Sequence, residues 1–61
     1  MSMYINFFTQ KRGERMNQLV AGRFDYVPRM GETVSMDNRT RDVLSVDYDL
    51  TKNSLDIILS D

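Results

Sequence analysis

Arg12, Arg15, Arg29, Arg39 and Arg41 are the side chains best equipped for chemistry in this sequence. A guanidinium group presents a rigid fork of N–H donors that matches two oxygens of a phosphate or carboxylate. Lys11, Arg12 and Arg15 cluster in one polar stretch, Arg39 and Arg41 alternate on one strand face, and Arg29 sits in a proline turn. Tyr26, with Tyr4, Phe8 and Phe24, adds rings on which a base could stack. This combination points to a small phosphorylated or nucleotide ligand. A polynucleotide fits less well. Its binding scales with the number of cations that displace counterions, and the whole chain carries a net charge of −1. A nucleic-acid-binding module therefore ranks behind a discrete ligand pocket.

Carboxylates give the second set of candidates. Asp47 and Asp49 share a strand face by parity, about 7 Å apart along the strand. Two carboxyl groups act as acid and base only where burial or repulsion separates their pKa values. A chain of 61 residues has too little interior to bury both. A solvent-facing acidic edge is the expectation. No segment has the spacing of acidic ligands around a central glycine that a calcium loop needs. The sequence contains no cysteine and no histidine, which removes nucleophilic triads, thiolate metal sites and the commonest zinc ligand. The chain reads as a binding protein and not an enzyme, with no metal and no cofactor.

The charges are unevenly placed. Residues 1–41 balance at +3 and residues 42–61 at −4. Asp47, Asp49 and Asp56 of the acidic segment can face a basic partner, and Phe8, adjacent to Phe7 and so on the opposite face, can supply an apolar contact. A small domain without disulfides or metal commonly draws stability from a partner subunit, so a homo-oligomer is expected. A second protein is the other expected partner.

Elements that position these residues follow from alternation, since helical periodicity is poor. Met3 to Thr9 reads as a strand with Met3, Ile5 and Phe7 on one face. A second strand spans about Arg15 to Val27, where Met16, Leu19 and Val20 also fit helical spacing, and Gly22 suggests a bulge or bend. Pro28 and Gly31 punctuate a turn. Thr33 to Met36 and Thr40 to Tyr48 flank Asp37-Asn38, a pair that tolerates the left-handed conformation of a tight hairpin. Leu44, Val46 and Tyr48 share one face of the fourth strand. Ser54 to Leu59 closes the set, with Leu55, Ile57 and Leu59 inward. Five short strands with frequent turns imply an all-β fold, a small five-stranded antiparallel barrel in one domain over residues 1–61.

Over residues 24–59 the chain resembles small SH3-like barrels, through Val27-Pro28-Arg29-Met30-Gly31-Glu32-Thr33-Val34 followed by a hairpin with Val43, Val46 and Tyr48 and a final apolar strand. It is also similar to the very short proteins encoded by phages and Gram-positive bacteria. The resemblance implies a barrel that binds through loops or a sheet face, and an interaction or inhibitor protein of the phage type acting on a host protein. It carries over no catalytic residue.

The first residues are too short and polar for a signal peptide, and no apolar run approaches the ~20 residues of a membrane span. A cytoplasmic protein that does not engage the membrane is the expectation.

Overall fold

A computed structural model of the chain describes residues 2–10 and 13–60. Five strands account for its regular structure: β1 (Met3–Thr9), β2 (Asn17–Phe24), β3 (Thr33–Met36), β4 (Arg39–Asp49) and β5 (Ser54–Leu59). They form one curled sheet in the order β2-β1-β5-β4-β3, so β2 and β3 are its two edges. None of the described residues forms a helix long and apolar enough to cross a membrane.

The all-β class and the five strands agree with the sequence pattern; a purely antiparallel sheet does not. β1 and β5 pair in parallel, from Tyr4 opposite Ser54 to Thr9 opposite Leu59. Hairpins force antiparallel pairing only between neighbours in sequence. Here the intervening strands serve as the crossover, which returns the chain to run beside β1 in the same direction. The other ladders, β1·β2, β3·β4 and β4·β5, are antiparallel.

β5 is central and supplies half of the fully enclosed core. Leu55, Ile57 and Leu59 pack with Ile5 and Phe7 of β1 and Val43 of β4, and Ile5, Ile57 and Leu59 are 0% exposed. Burying a side chain of this size contributes about 1.5–3 kcal/mol. Leu19, Phe24, Val27, Val34, Val46 and the thioethers of Met3 and Met36 extend this cluster outwards. Phe7 and Phe24 meet edge to face, with ring centroids 5.3 Å apart and planes at 85°, a favoured quadrupole arrangement.

Two bulges shape the sheet. On β2 the register with β1 shifts between Phe7, opposite Val20, and Phe8, opposite Gln18. The extra residue is thus Leu19, which turns towards the core. Gly22, expected to mark the irregularity, pairs regularly with Ile5. On β4 the shift falls between Val43 and Ser45. Leu44 is extruded into solvent there, away from the face that simple alternation assigns it with Val46 and Tyr48. The same bulge is a corner. Residues up to Asp42 pair with β3 and residues from Val43 on pair with β5, so a bend in β4 at this point swings β3 over the core.

Turn chemistry follows the sequence closely. Asp37 and Asn38 have φ of 52° and 63°, as a two-residue type I′ hairpin requires. Gly31, at φ 90°, is the third residue of a turn closed by the Glu32 amide donating to the Arg29 carbonyl at 3.0 Å. That is the position a type II turn reserves for glycine. Pro28, just before it, is buried.

Candidate binding surfaces

The curled sheet stops short of closure. β2 pairs only with β1 and β3 only with β4, which leaves a groove of about 600 Å3 between the two edges. Phe7 forms its floor, Leu19, Val20 and Phe24 one wall, Val34 and Met36 the other, and Tyr26 and Pro28 line the connecting segment. The groove is mainly apolar, and Asp37 is the one charged lining residue among those described.

Backbone groups make its rims polar. The Asp37-Asn38 turn closes on the Met36–Arg39 pair, and hydrogen-bonded pairs alternate with non-bonded ones from there. Val34 therefore exchanges hydrogen bonds with Arg41, while the N–H and C=O groups of Thr33 and Ser35 point to the open edge. The contact between the Ser35 and Thr40 hydroxyls at 3.0 Å agrees with this alternation, since side chains approach most closely in non-bonded pairs.

Tyr26 is fixed at the lip of the groove. Its hydroxyl donates to the Glu32 carboxylate, with Oε1 at 2.9 Å and Oε2 at 2.8 Å, and the Arg29 amide donates to Glu32 Oε1 at 2.6 Å. The backbone donation from Arg29, then the phenol's, holds the Glu32 carboxyl below the usual glutamate range. The same hydrogen bond, with some desolvation and the negative charge of Glu32, raises the Tyr26 phenol.

A second, smaller cleft of about 360 Å3 opens at the other end of β1. Its lining is polar: Ser2, Tyr4, Asn6, Arg23, Lys52, Asn53 and Ser54, with Met3. Among the described residues two cations and no carboxylate line it. Sequence reasoning assigned no site role to either cation, because Arg23 lies within a strand and Lys52 in a turn, 29 positions away. One signal was present: Lys52 is the lone cation of the acidic segment.

The arginines singled out from sequence do not converge on either cavity. Arg15, Arg29 and Arg39 are exposed and line neither, and Arg12 lies outside the described residues. Arg41, half-buried, donates from Nη1 to the Ser60 carbonyl at 3.0 Å, which ties the end of β5 to β4. Of the aromatic candidates, Tyr26 and Phe24 line the groove and Tyr4 lines the smaller cleft.

The acidic candidates have local partners. Asp49 Oδ1 accepts the Thr51 and Lys52 amides at 3.0 and 3.2 Å, so it caps the β4–β5 turn. On the outer sheet face the Gln18 amide donates to Asn6 Oδ1, and Asn6 Nδ2 donates to Asp56 Oδ1, each at 3.1 Å. Asp47 is exposed directly opposite Asp56. Phe8 is half-buried on that face, one strand away from Ile58. Among the described residues no group of three or more Asp, Glu, His or Cys side chains is arranged to hold a metal ion.

Comparison of the chain with protein families, with curated proteins and with solved structures gives no match.

Proposed function

We propose that this chain is a non-enzymatic binding protein whose apolar groove receives an extended segment of a partner protein. The observation that carries this reading is the pairing of an apolar floor with two unpaired strand edges. Strand addition uses main-chain hydrogen bonds for affinity and pockets for alternate side chains for selectivity, and the groove offers both. Thr33 and Ser35 supply the edge groups, while Phe7, Val20, Phe24, Val34 and Met36 suit side chains on one face of an incoming strand. An exposed edge of this kind is otherwise a liability that folded proteins cover or disrupt. The curled five-stranded sheet and the Pro28–Gly31 turn support the SH3-like affinity of the fold, in which binding falls to loops and sheet faces.

Selection from a library of random 12-residue peptides tests the reading. Enriched peptides should alternate apolar and polar residues, and their binding should be lost in Ser35→Pro. Proline there removes an outward-facing N–H and the Ser35–Thr40 hydroxyl contact, and leaves the backbone ladder with β4 intact. Peptides without alternation, or binding indifferent to Ser35→Pro, would refute strand addition. Light scattering supplies a second arm. The expected result is a homo-oligomer that leaves the groove open and whose state is unchanged in Ser35→Pro. A dimer dissociated by Ser35→Pro would assign the groove to a second copy of the chain and overturn the partner-protein reading.

A further inference from the structure

We infer that the cleft between Arg23 and Lys52 is a binding site for a small phosphomonoester attached to a planar ring, the chemistry of a mononucleotide. Arg23 is opposite Tyr4 across the β1·β2 ladder, and Tyr4 is opposite Ser54 across the parallel β1·β5 ladder. Guanidinium, aromatic ring and hydroxyl therefore stand in one row on three neighbouring strands. Strand spacing of about 4.8 Å puts the outer members of that row roughly 10 Å apart. The β4–β5 turn then brings Lys52 and Asn53 to the Ser54 end of the row. Parallel pairing of β1 with β5 is what unites these residues, and no antiparallel hairpin of the chain would.

Hydrogen-bonding capacity is one-sided there. The side chains of Arg23 and Lys52 make no hydrogen bond or ion pair with any described residue. Asn53 Oδ1 already accepts from the Tyr48 hydroxyl, which leaves its Nδ2 donors. The Oδ1 of Asn6 accepts from Gln18, and its Nδ2 donates to Asp56. The nearest carboxylate in the row, Asp49, turns into the amides of Thr51 and Lys52 and does not line the cleft. A surplus of donors, two of them cationic, with both amide oxygens of the lining already engaged, selects an anion with several oxygens.

The site is also preorganised. Asp49 and Tyr48 clamp the turn that carries Lys52, and Asn53 sits in the left-handed region at φ 53°, so little ordering is left to accompany binding. The volume of about 360 Å3 lies within the ~300–1,000 Å3 of small-molecule sites. Tyr4, partly exposed beside the guanidinium, offers the face on which a planar group stacks. The apolar groove shares no residue with this cleft, so the two sites are independent.

Calorimetric titration with adenosine 5′-monophosphate, inorganic phosphate and adenosine tests the inference. The monophosphate should bind most tightly, phosphate more weakly and adenosine least. Arg23→Gln and Lys52→Gln should each weaken monophosphate binding at least about tenfold, the scale of one lost charge-assisted hydrogen bond. Tyr4→Ala should weaken the monophosphate and leave inorganic phosphate unchanged. Circular dichroism of each variant verifies folding, which the exposure of Arg23 and Lys52 favours. No heat with either phosphate at millimolar concentration would overturn the site, as would binding unchanged in both charge variants.

Discussion

Asn38 offers the most direct check on how the groove wall is held in place. β3 has no partner but β4, so one short hairpin keeps Val34 and Met36 over the core. Both central residues of its turn are left-handed, at φ 52° and 63°. For an L-residue with a Cβ that conformation costs about 1–2 kcal/mol, less for asparagine, whose side chain bonds locally. Glycine removes the steric cost but adds conformational freedom to the unfolded chain. The prevalence of Asn-Gly and Asp-Gly in type I′ turns indicates that the first effect wins. Asn38→Gly should therefore raise stability by roughly 0.5 kcal/mol. Asn38→Ala should lower it by about 1 kcal/mol, and Asn38→Val by up to ~2 kcal/mol. For a domain near this size, 1 kcal/mol moves Tm by about 4–8 °C, well within reach of thermal unfolding followed by circular dichroism. The order Gly, Asn, Ala, Val is the prediction. Equal melting temperatures across the series would mean that the turn is not type I′ or that β3 contributes nothing to stability. Peptide binding should follow the same order, because the turn sets the population of an intact wall.

Three further outcomes follow from the same geometry. Ile57, 0% exposed at the centre of β5, should cost about 0.5–1.5 kcal/mol as Val and 2–5 kcal/mol as Ala, a large share of the about 3–5 kcal/mol so small a core supplies; the urea midpoint should fall in the order Ile, Val, Ala, and a midpoint unchanged in Ile57→Ala would contradict the assigned core. Asp47 faces Asp56 across β4·β5, a like-charge pair that destabilises a sheet, so Asp47→Asn should raise Tm, by less at high salt, and a lowered Tm would refute the repulsion. Glu32, held below its usual range, stabilises the Arg29–Glu32 turn fully above the ordinary glutamate pKa and loses that contribution as pH falls through its folded value. Tyr26, raised, contributes below the ordinary tyrosine pKa and loses its part as pH rises through its higher folded value. Side-chain NMR titration reads both, and Glu32→Gln should return Tyr26 to ordinary behaviour.

Strands whose alternation is unbroken were legible from residues alone: the limits of β1, β3 and β5 coincide with those read from Met3 to Thr9, Thr33 to Met36 and Ser54 to Leu59. The Asp37-Asn38 and Gly31 turns were legible too, because positive φ restricts residue type. Leu19 and Leu44 were not. A bulge shifts parity by one residue without a compositional marker, and Gly22 drew the inference to the wrong position of β2. The parallel β1·β5 ladder had no local sign either, since pairing between distant strands depends on the whole sheet. That single omission hid the cleft: Arg23 and Lys52 become neighbours only when Tyr4 stands beside Ser54. The apolar groove was hidden for a related reason, because periodicity cannot tell a closed barrel from one that stops a strand short.

The parallel ladder also fixes when this protein can fold. Its central side-chain link, Asn6 to Asp56, spans 50 positions, and β5 carries half of the enclosed core. While the chain is being synthesised, β1 and β2 can pair with each other but have only Leu19 and Phe24 to set against Ile5 and Phe7. Burial waits for Ser54–Leu59 to emerge, so folding must close a long loop before most of the core contacts reward it. During that interval Ile5-Asn6-Phe7-Phe8 is a bare aromatic strand, the kind of segment that chaperones hold and that aggregates at high expression.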